Sequence, residues 1–212
     1  MKAITIIATA MLIVSIAACK KPNEQVATLP TEDQVEQTHD GNTFMTILSE
    51  TMDIDGINTK EDADRDYAKL MIVHHKSGIE MAKKIQEIGA DTAVKHFASS
   101  IIATNTREID QLDSFLTAHK NKVSASGKIF APITDSIMVA MKISADKVDM
   151  SGSFDYDFTR LMMVQQKTGL DLSTVAAKYV NSQFLRTFTY NNIAAQKRDM
   201  KAYNNWIMAN KQ

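Results

Sequence analysis

An internal repeat limits the fold of this chain more than any other feature of its sequence. Residues 66–73 (DYAKLMIV) match residues 157–164 (DFTRLMMV) at an offset of 91 residues. The same offset continues without a gap into the next apolar segment, where Phe97 aligns with Phe188. One register kept across two apolar segments and their connection indicates a duplicated helix pair.

Apolar residues recur at helical spacing over four long segments, which are residues 63–88, 92–120, 154–179 and 182–209. Shorter helices are predicted near 42–52 and 133–147, with a polar break at 124–127. The chain has only 7 Gly and 3 Pro, which suits helices. Two helix pairs bury their apolar stripes best against each other. We therefore predict an all-α four-helix bundle of two tandem helix-pair repeats (about 63–120 and 154–209), plus short extra helices.

The N-terminus has the pattern of an export signal. Lys2 precedes an uncharged, mostly apolar run that ends in small residues before Cys19, the only cysteine of the chain. This pattern resembles the bacterial lipoprotein signal. We predict a signal peptide at 1–18, a polar tether at 19–41 with a lipidated Cys19, and a helical domain at 42–212. The alternative is a free thiol in a simple N-terminal anchor.

These features predict a protein of the bacterial cell envelope, held to the membrane by its lipid and facing the periplasm or the cell surface. The formal net charge of −1 gives no indication of nucleic-acid binding.

Sorting the first long helix by face places two histidines near its apolar stripe. His74 lies near the centre of the stripe and His75 at its edge, whereas Glu80 lies on the opposite side. In the next helix, Glu108 lies near the centre of the stripe, with Asn105 beside it. A carboxylate on an apolar face is costly unless it is paired or bound to a metal, and an imidazole on the facing helix is its natural partner.

Two interpretations of this cluster stay open from the residues alone. With Met71 and Met81, the histidines and Glu108 form a possible metal site. Thioether and imidazole suit Cu(I), and imidazole with carboxylate suits Cu(II) or Zn(II). Against this, a buried histidine is commonly only hydrogen-bonded, and methionine commonly fills cores.

The second copy lacks the histidines. Gln165 and Gln166 replace them, and glutamine is a poor ligand for transition metals. We predict a polar network without metal there, formed by Gln165, Gln166, Met162, Gln196 and Asp199. The fold therefore tolerates glutamine at both positions.

Residues 71–82 (MIVHHKSGIEMA) resemble the M-I-P-H-H-x-x-A-I-x-M-A signature of the bacterial family called domain of unknown function 305. Residues 105–109 and 196–200 are similar to its later Q-x-x-E-I segment. The resemblance implies a ferritin-like helical bundle, frequently exported and often with two motif copies. Some members are periplasmic copper-binding proteins implicated in copper resistance. The motif makes His74, His75, Met71 and Met81 candidate ligands. Here Val73 replaces the proline of the family, and only one copy keeps both histidines.

The leading prediction is an exported lipoprotein that binds a transition-metal ion, with copper as the first candidate, for copper storage, buffering or resistance. The predicted ligands are His74, His75, Met71, Met81 and Glu108, with Asn105 as a hydrogen-bonding neighbour. The alternative is a metal-free structural or partner-binding module of the envelope. No catalytic motif is visible, so we do not predict an enzyme; a redox or hydrolytic metalloenzyme is the weaker third alternative.

Overall fold

The computed structural model describes residues 43–52, 54, 57 and 59–211. They form six helices: α1 (Thr43–Thr51), α2 (Ala63–Ile88), α3 (Thr92–Ala118), α4 (Ala125–Asp146), α5 (Phe154–Tyr179) and α6 (Gln183–Ala209). No strand occurs in this part of the chain, so the predicted all-α helical bundle is confirmed. The predicted signal peptide and tether, with Cys19, lie outside the described residues. None of the described helices is long and apolar enough to cross a membrane.

Each of the four long helices of the repeats begins at a side chain that caps its free amides. Asp62 accepts hydrogen bonds from the amides of residues 64 and 65, and Asp91 accepts one from Val94. Ser153 and Ser182 do the same for α5 and α6. Oxygen-bearing caps of this kind stabilise a helix start by about 1 kcal/mol. The helix starts therefore follow directly from local sequence.

The bundle is built from two helix hairpins. Helix α2 packs on α3, α5 packs on α6, and α2 and α5 pack on each other at the centre. The Tyr67 hydroxyl near the start of α2 lies 2.9 Å from the Ser173 hydroxyl late in α5, so these central helices run antiparallel. Helix α4 packs on α5 and α2, and α1 packs on α2.

Aromatic side chains of α3 and α6 contact each other at two places. The rings of Phe97 and Tyr203 are 5.0 Å apart between centroids, and those of Phe115 and Phe184 are 5.6 Å apart. Between these aromatic contacts lies a polar cavity of about 130 Å³. The interface between α3 and α6 is therefore not fully packed.

Two aspartates tie the hairpins together reciprocally. The Asp64 carboxylate, in the first turn of α2, accepts hydrogen bonds from the amides of residues 181–182, between α5 and α6. The Asp155 carboxylate, in the first turn of α5, accepts from the amides of residues 90–91, between α2 and α3. Asp64 and Asp155 correspond under the 91-residue offset. The two repeats are thus related by a pseudo-two-fold axis in the structure as well as by their sequences.

Helix α4 differs from its prediction. It begins at Ala125 rather than near Ile133, so the polar break predicted at 124–127 is wrong. Ser124 caps the helix, and Gly127 allows close approach to the preceding loop, because a Cβ there would lie 2.4 Å from the Glu61 carbonyl carbon. This glycine reflects close backbone packing inside a helix, not the end of one.

Candidate metal site

Helix α2 buries both histidines. His74 and His75 are each 1% exposed, and Met71, Gly78 and Met81 of the same helix are buried with them. Glu80 is exposed and paired with Lys83, as its position on the opposite face predicts. His75 is buried although it lies at the edge of the stripe, because Phe188 of α6 covers it at a ring-centroid distance of 6.4 Å.

His75 is the histidine that meets the inward carboxylate. Its Nε2 lies 3.0 Å from Glu108 Oε2, close enough for an ion pair but not aligned for a hydrogen bond. Asn192 of α6 donates a hydrogen bond of 3.1 Å to the same carboxylate oxygen. The sequence predicted an imidazole partner for Glu108, with His74 nearer than His75 to the centre of the stripe. The partner is His75, because α3 packs beside the edge of the stripe.

His74 is a neutral imidazole with an unused nitrogen. Burial, and then the charge of His75, lower the pKa of His74 to about 3. Its Nδ1 has no hydrogen-bond partner among the described residues. The ring lies over Gly169 of α5, where a Cβ would be 2.7 Å from His74 Nε2. A buried imidazole that stays uncharged and keeps a free lone pair is suited to bind a metal ion.

The second copy forms a hydrogen-bonded network at the matching positions. Gln165 Nε2 donates a 2.9 Å hydrogen bond to the His74 carbonyl, and Gln166 Nε2 donates one of 3.4 Å to the Tyr203 hydroxyl. Gln196 Nε2 donates to Asn192 Oδ1 at 3.0 Å. Each of these glutamines therefore donates a hydrogen bond from its Nε2 to another group of the protein.

The cavity between α3 and α6 adjoins this cluster. Glu108 and Asp199, which correspond under the offset, both line it, as do Asn105, Gln166, Asn192 and Gln196. Burial raises the pKa of Asp199, and the nearby Glu108 charge adds to this effect, while Arg198 opposes it. Most of these residues were singled out one by one from the sequence. The cavity was not predicted, because it arises from the spacing of two helices.

The predicted thioether ligands differ in their positions. Met71 and Met81 are both fully buried. The side-chain ends of Gln165 and Asn105 lie over Gly78, where a Cβ would be 2.7 and 2.9 Å from them. Gly78 falls between His74 and Met81 on the stripe, so these amides separate the two. Met71 lies one turn before His75, within side-chain reach.

The donor atoms at the histidines are of the types that bind transition-metal ions, but they are not arranged around one point. Each of the two imidazoles has a nitrogen without a hydrogen-bond partner, and that of His75 lies next to the Glu108 carboxylate. However, in the part of the chain that the structure describes, three His, Cys, Asp or Glu donor atoms come within 4.8 Å of one another only at Asp62, Asp64 and His119. A metal ion at the histidines would therefore require side-chain rotation or a thioether ligand.

The Asp62, Asp64 and His119 group already has structural partners. Asp62 Oδ2 accepts hydrogen bonds from the Lys122 amide and lies 2.7 Å from His119 Nε2. Burial raises the pKa of Asp62, but its hydrogen bonds, led by that from the Lys122 amide, outweigh burial and leave the pKa lowered. These carboxylates cap helix starts and turns, which accounts for their positions without a metal.

The fold and this cluster define an all-α helical bundle with a buried histidine pair in one of two related halves. The family model described as Domain of unknown function (DUF305) matches residues 9–116, about half of the chain. The chain belongs to this family. The matched range contains the histidine pair and Glu108 but ends before the second helix pair. No curated protein and no solved structure matches the chain.

Proposed function

We propose that this chain binds a transition-metal ion, with copper as the first candidate, at His74 and His75 together with Glu108. One observation carries the proposal: two consecutive buried histidines each keep a ring nitrogen without a hydrogen-bond partner, and one of them adjoins a carboxylate. An unsatisfied buried polar atom is costly, and a bound cation would remove that cost for both rings.

The donor types favour copper over hard cations. Neutral imidazole suits Cu(II), Zn(II) and Cu(I), and a thioether from Met71 would shift the preference toward Cu(I). Within the envelope location predicted from the N-terminus, such a protein would store or buffer copper as a lipid-anchored binder. This role requires no catalytic group.

The test is metal binding by the purified full chain and by His74→Gln/His75→Gln. Glutamine occupies both positions in the second copy, so we expect the variant to fold normally by circular dichroism. Calorimetry with Cu(II) at pH 7 should give about one ion per wild-type chain with submicromolar affinity, weakened about 100-fold or more in the variant. Parallel titrations with Zn(II) and Cu(I) rank the metals.

A matched control distinguishes loss of the metal site from the loss of any histidine. His96 is an exposed histidine on α3, so His96→Gln should bind copper like the wild type. Absence of copper uptake by the wild type, or equal affinity in the double variant, would refute the proposal.

A second candidate function is a metal-free structural or partner-binding module of the envelope. The observation that favours it is that Gln165 and Gln166 of the second copy each donate a hydrogen bond to a group of the protein where the first copy carries histidines. It predicts a wild-type chain with no measurable affinity for any of the three ions.

A further inference from the structure

The cavity between α3 and α6 shows a gradient of exposure toward the histidines. The Asp199 side chain is 36% exposed, that of Glu108 is 17% exposed, and that of His75 is 2% exposed. Asp199 and Glu108 line the cavity, and Glu108 also contacts His75. Three side chains therefore form a series from solvent to the buried imidazole.

Polar atoms without a hydrogen-bond partner lie along the same series. Gln196, which lines the cavity, is 5% exposed, and its Oε1 has no hydrogen-bond partner among the described residues. His75 Nε2 is likewise without one. Gln196 Oε1 is a buried acceptor that remains unsatisfied beside two carboxylates, which indicates a place for a cation rather than only an acidic surface.

Asp199 already holds a positive group loosely. Its Oδ1 lies 3.4 Å from Nε of Arg198, whose side chain is 73% exposed. Because an exposed pair of this kind contributes little stability, an incoming divalent cation can replace the guanidinium at low cost.

We propose that this cavity is the entry route for the metal ion, with Asp199 and Glu108 holding the ion at its mouth before it reaches His75. The inference rests on the proposed function, because it concerns loading of the same histidines. Glu108 touches both the cavity and His75, so an ion can pass to the imidazole without leaving a carboxylate oxygen. Asp199 is a capture residue in this scheme and not a ligand of the loaded site.

The test is the rate of Cu(II) uptake by the full chain with Asp199→Asn. Stopped-flow transfer of Cu(II) from a coloured weak chelator measures the rate, and calorimetry measures affinity. We expect Asp199→Asn to load about 3- to 10-fold more slowly at low salt, with affinity within about 3-fold of the wild type. The difference should shrink at about 0.5 M salt, where screening is strong.

The control is Asp171→Asn, which makes the same charge change on α5 at a carboxylate paired with Lys167. It should load at the wild-type rate. If Asp199→Asn loads as fast as Asp171→Asn while both bind copper fully, the entry route is wrong and the proposed function stands. If the wild type binds no copper, both fail. An Asp199→Asn variant with unchanged rate but much weaker affinity would make Asp199 a ligand and also overturn the inference.

Discussion

The buried His74 ring makes the folded chain sensitive to acid. Its pKa is lowered to about 3 by burial and by His75, whereas an unfolded histidine titrates near 6.5. Below about pH 6.5 the unfolded chain binds a proton at this histidine and the folded chain does not. The contribution of His74 to the free energy of unfolding is therefore fully present above about pH 6.5 and is lost as the pH drops toward 3.

This sensitivity gives a prediction for the metal-free protein. At pH 5 the His74 penalty should be on the order of 2 kcal/mol. Urea unfolding at pH 7 and pH 5, with a chelator present, should show a smaller loss for His74→Gln than for the wild type. His96→Gln, at an exposed position, should lose as much as the wild type. Equal losses in all three proteins would mean that His74 protonates freely in the folded state.

At this scale the sequence predicted the burial of His74 and the inward position of Glu108, which is half-buried, but not which histidine pairs with Glu108. A helical wheel assigns one buried stripe to a helix. Helix α2 packs against several neighbours at once, so its buried face is wider than one stripe and takes in His75.

Among the elements, the contact between α2 and α5 depends on two glycines that face each other's helix. Gly169 faces the His74 ring and the Gln196 amide, and Gly78 faces the amides of Gln165 and Asn105. The two pairs are related by the 91-residue offset, but only one includes an imidazole.

We predict that Gly169→Ala weakens copper binding more than Gly78→Ala does. A Cβ at Gly169 must displace the buried His74 ring, which should cost about 1–3 kcal/mol of stability and reduce copper affinity about 10-fold. At Gly78 the new methyl group meets only the ends of flexible amides, and alanine gains about 1 kcal/mol of helix propensity. Calorimetry and urea unfolding of both variants provide the comparison. Equal copper affinity in both would show that His74 does not take part in binding.

Helices were the most predictable elements, because apolar spacing and capping residues act locally. Helix α4 was misplaced because Gly127 and Ser124 were interpreted as a break. Its glycine is explained by the backbone of Glu61 and Asp62, which are distant in sequence, so no local pattern could have revealed it.

Across the whole molecule, the reciprocal carboxylates should be the main polar link between the hairpins. Asp64 and Asp155 act at opposite ends of the antiparallel α2–α5 pair. Replacing either with alanine leaves two backbone amides without their acceptor, so we expect each variant to lose about 2 kcal/mol of unfolding free energy.

Because the two sites are far apart, the losses should add to within about 0.5 kcal/mol in the double variant. Urea unfolding measures all three proteins, with Asp113→Ala on the exposed face of α3 as the control. Losses no larger than that of the control would show that these two carboxylates do not help to hold the hairpins together. The sequence did not indicate these links, because each joins a helix start to a turn in the other half of the chain.

The reciprocity of these carboxylates has a consequence for how the protein can change over time. Each hairpin supplies acceptors for the amides in the turn of the other, so each half contributes to holding the other. The second half carries glutamines where the first carries histidines and still makes this contribution, because the contribution depends on backbone amides, an aspartate and a glycine. Duplication in this fold therefore allows the buried side chains of the two halves to differ while both halves maintain the architecture.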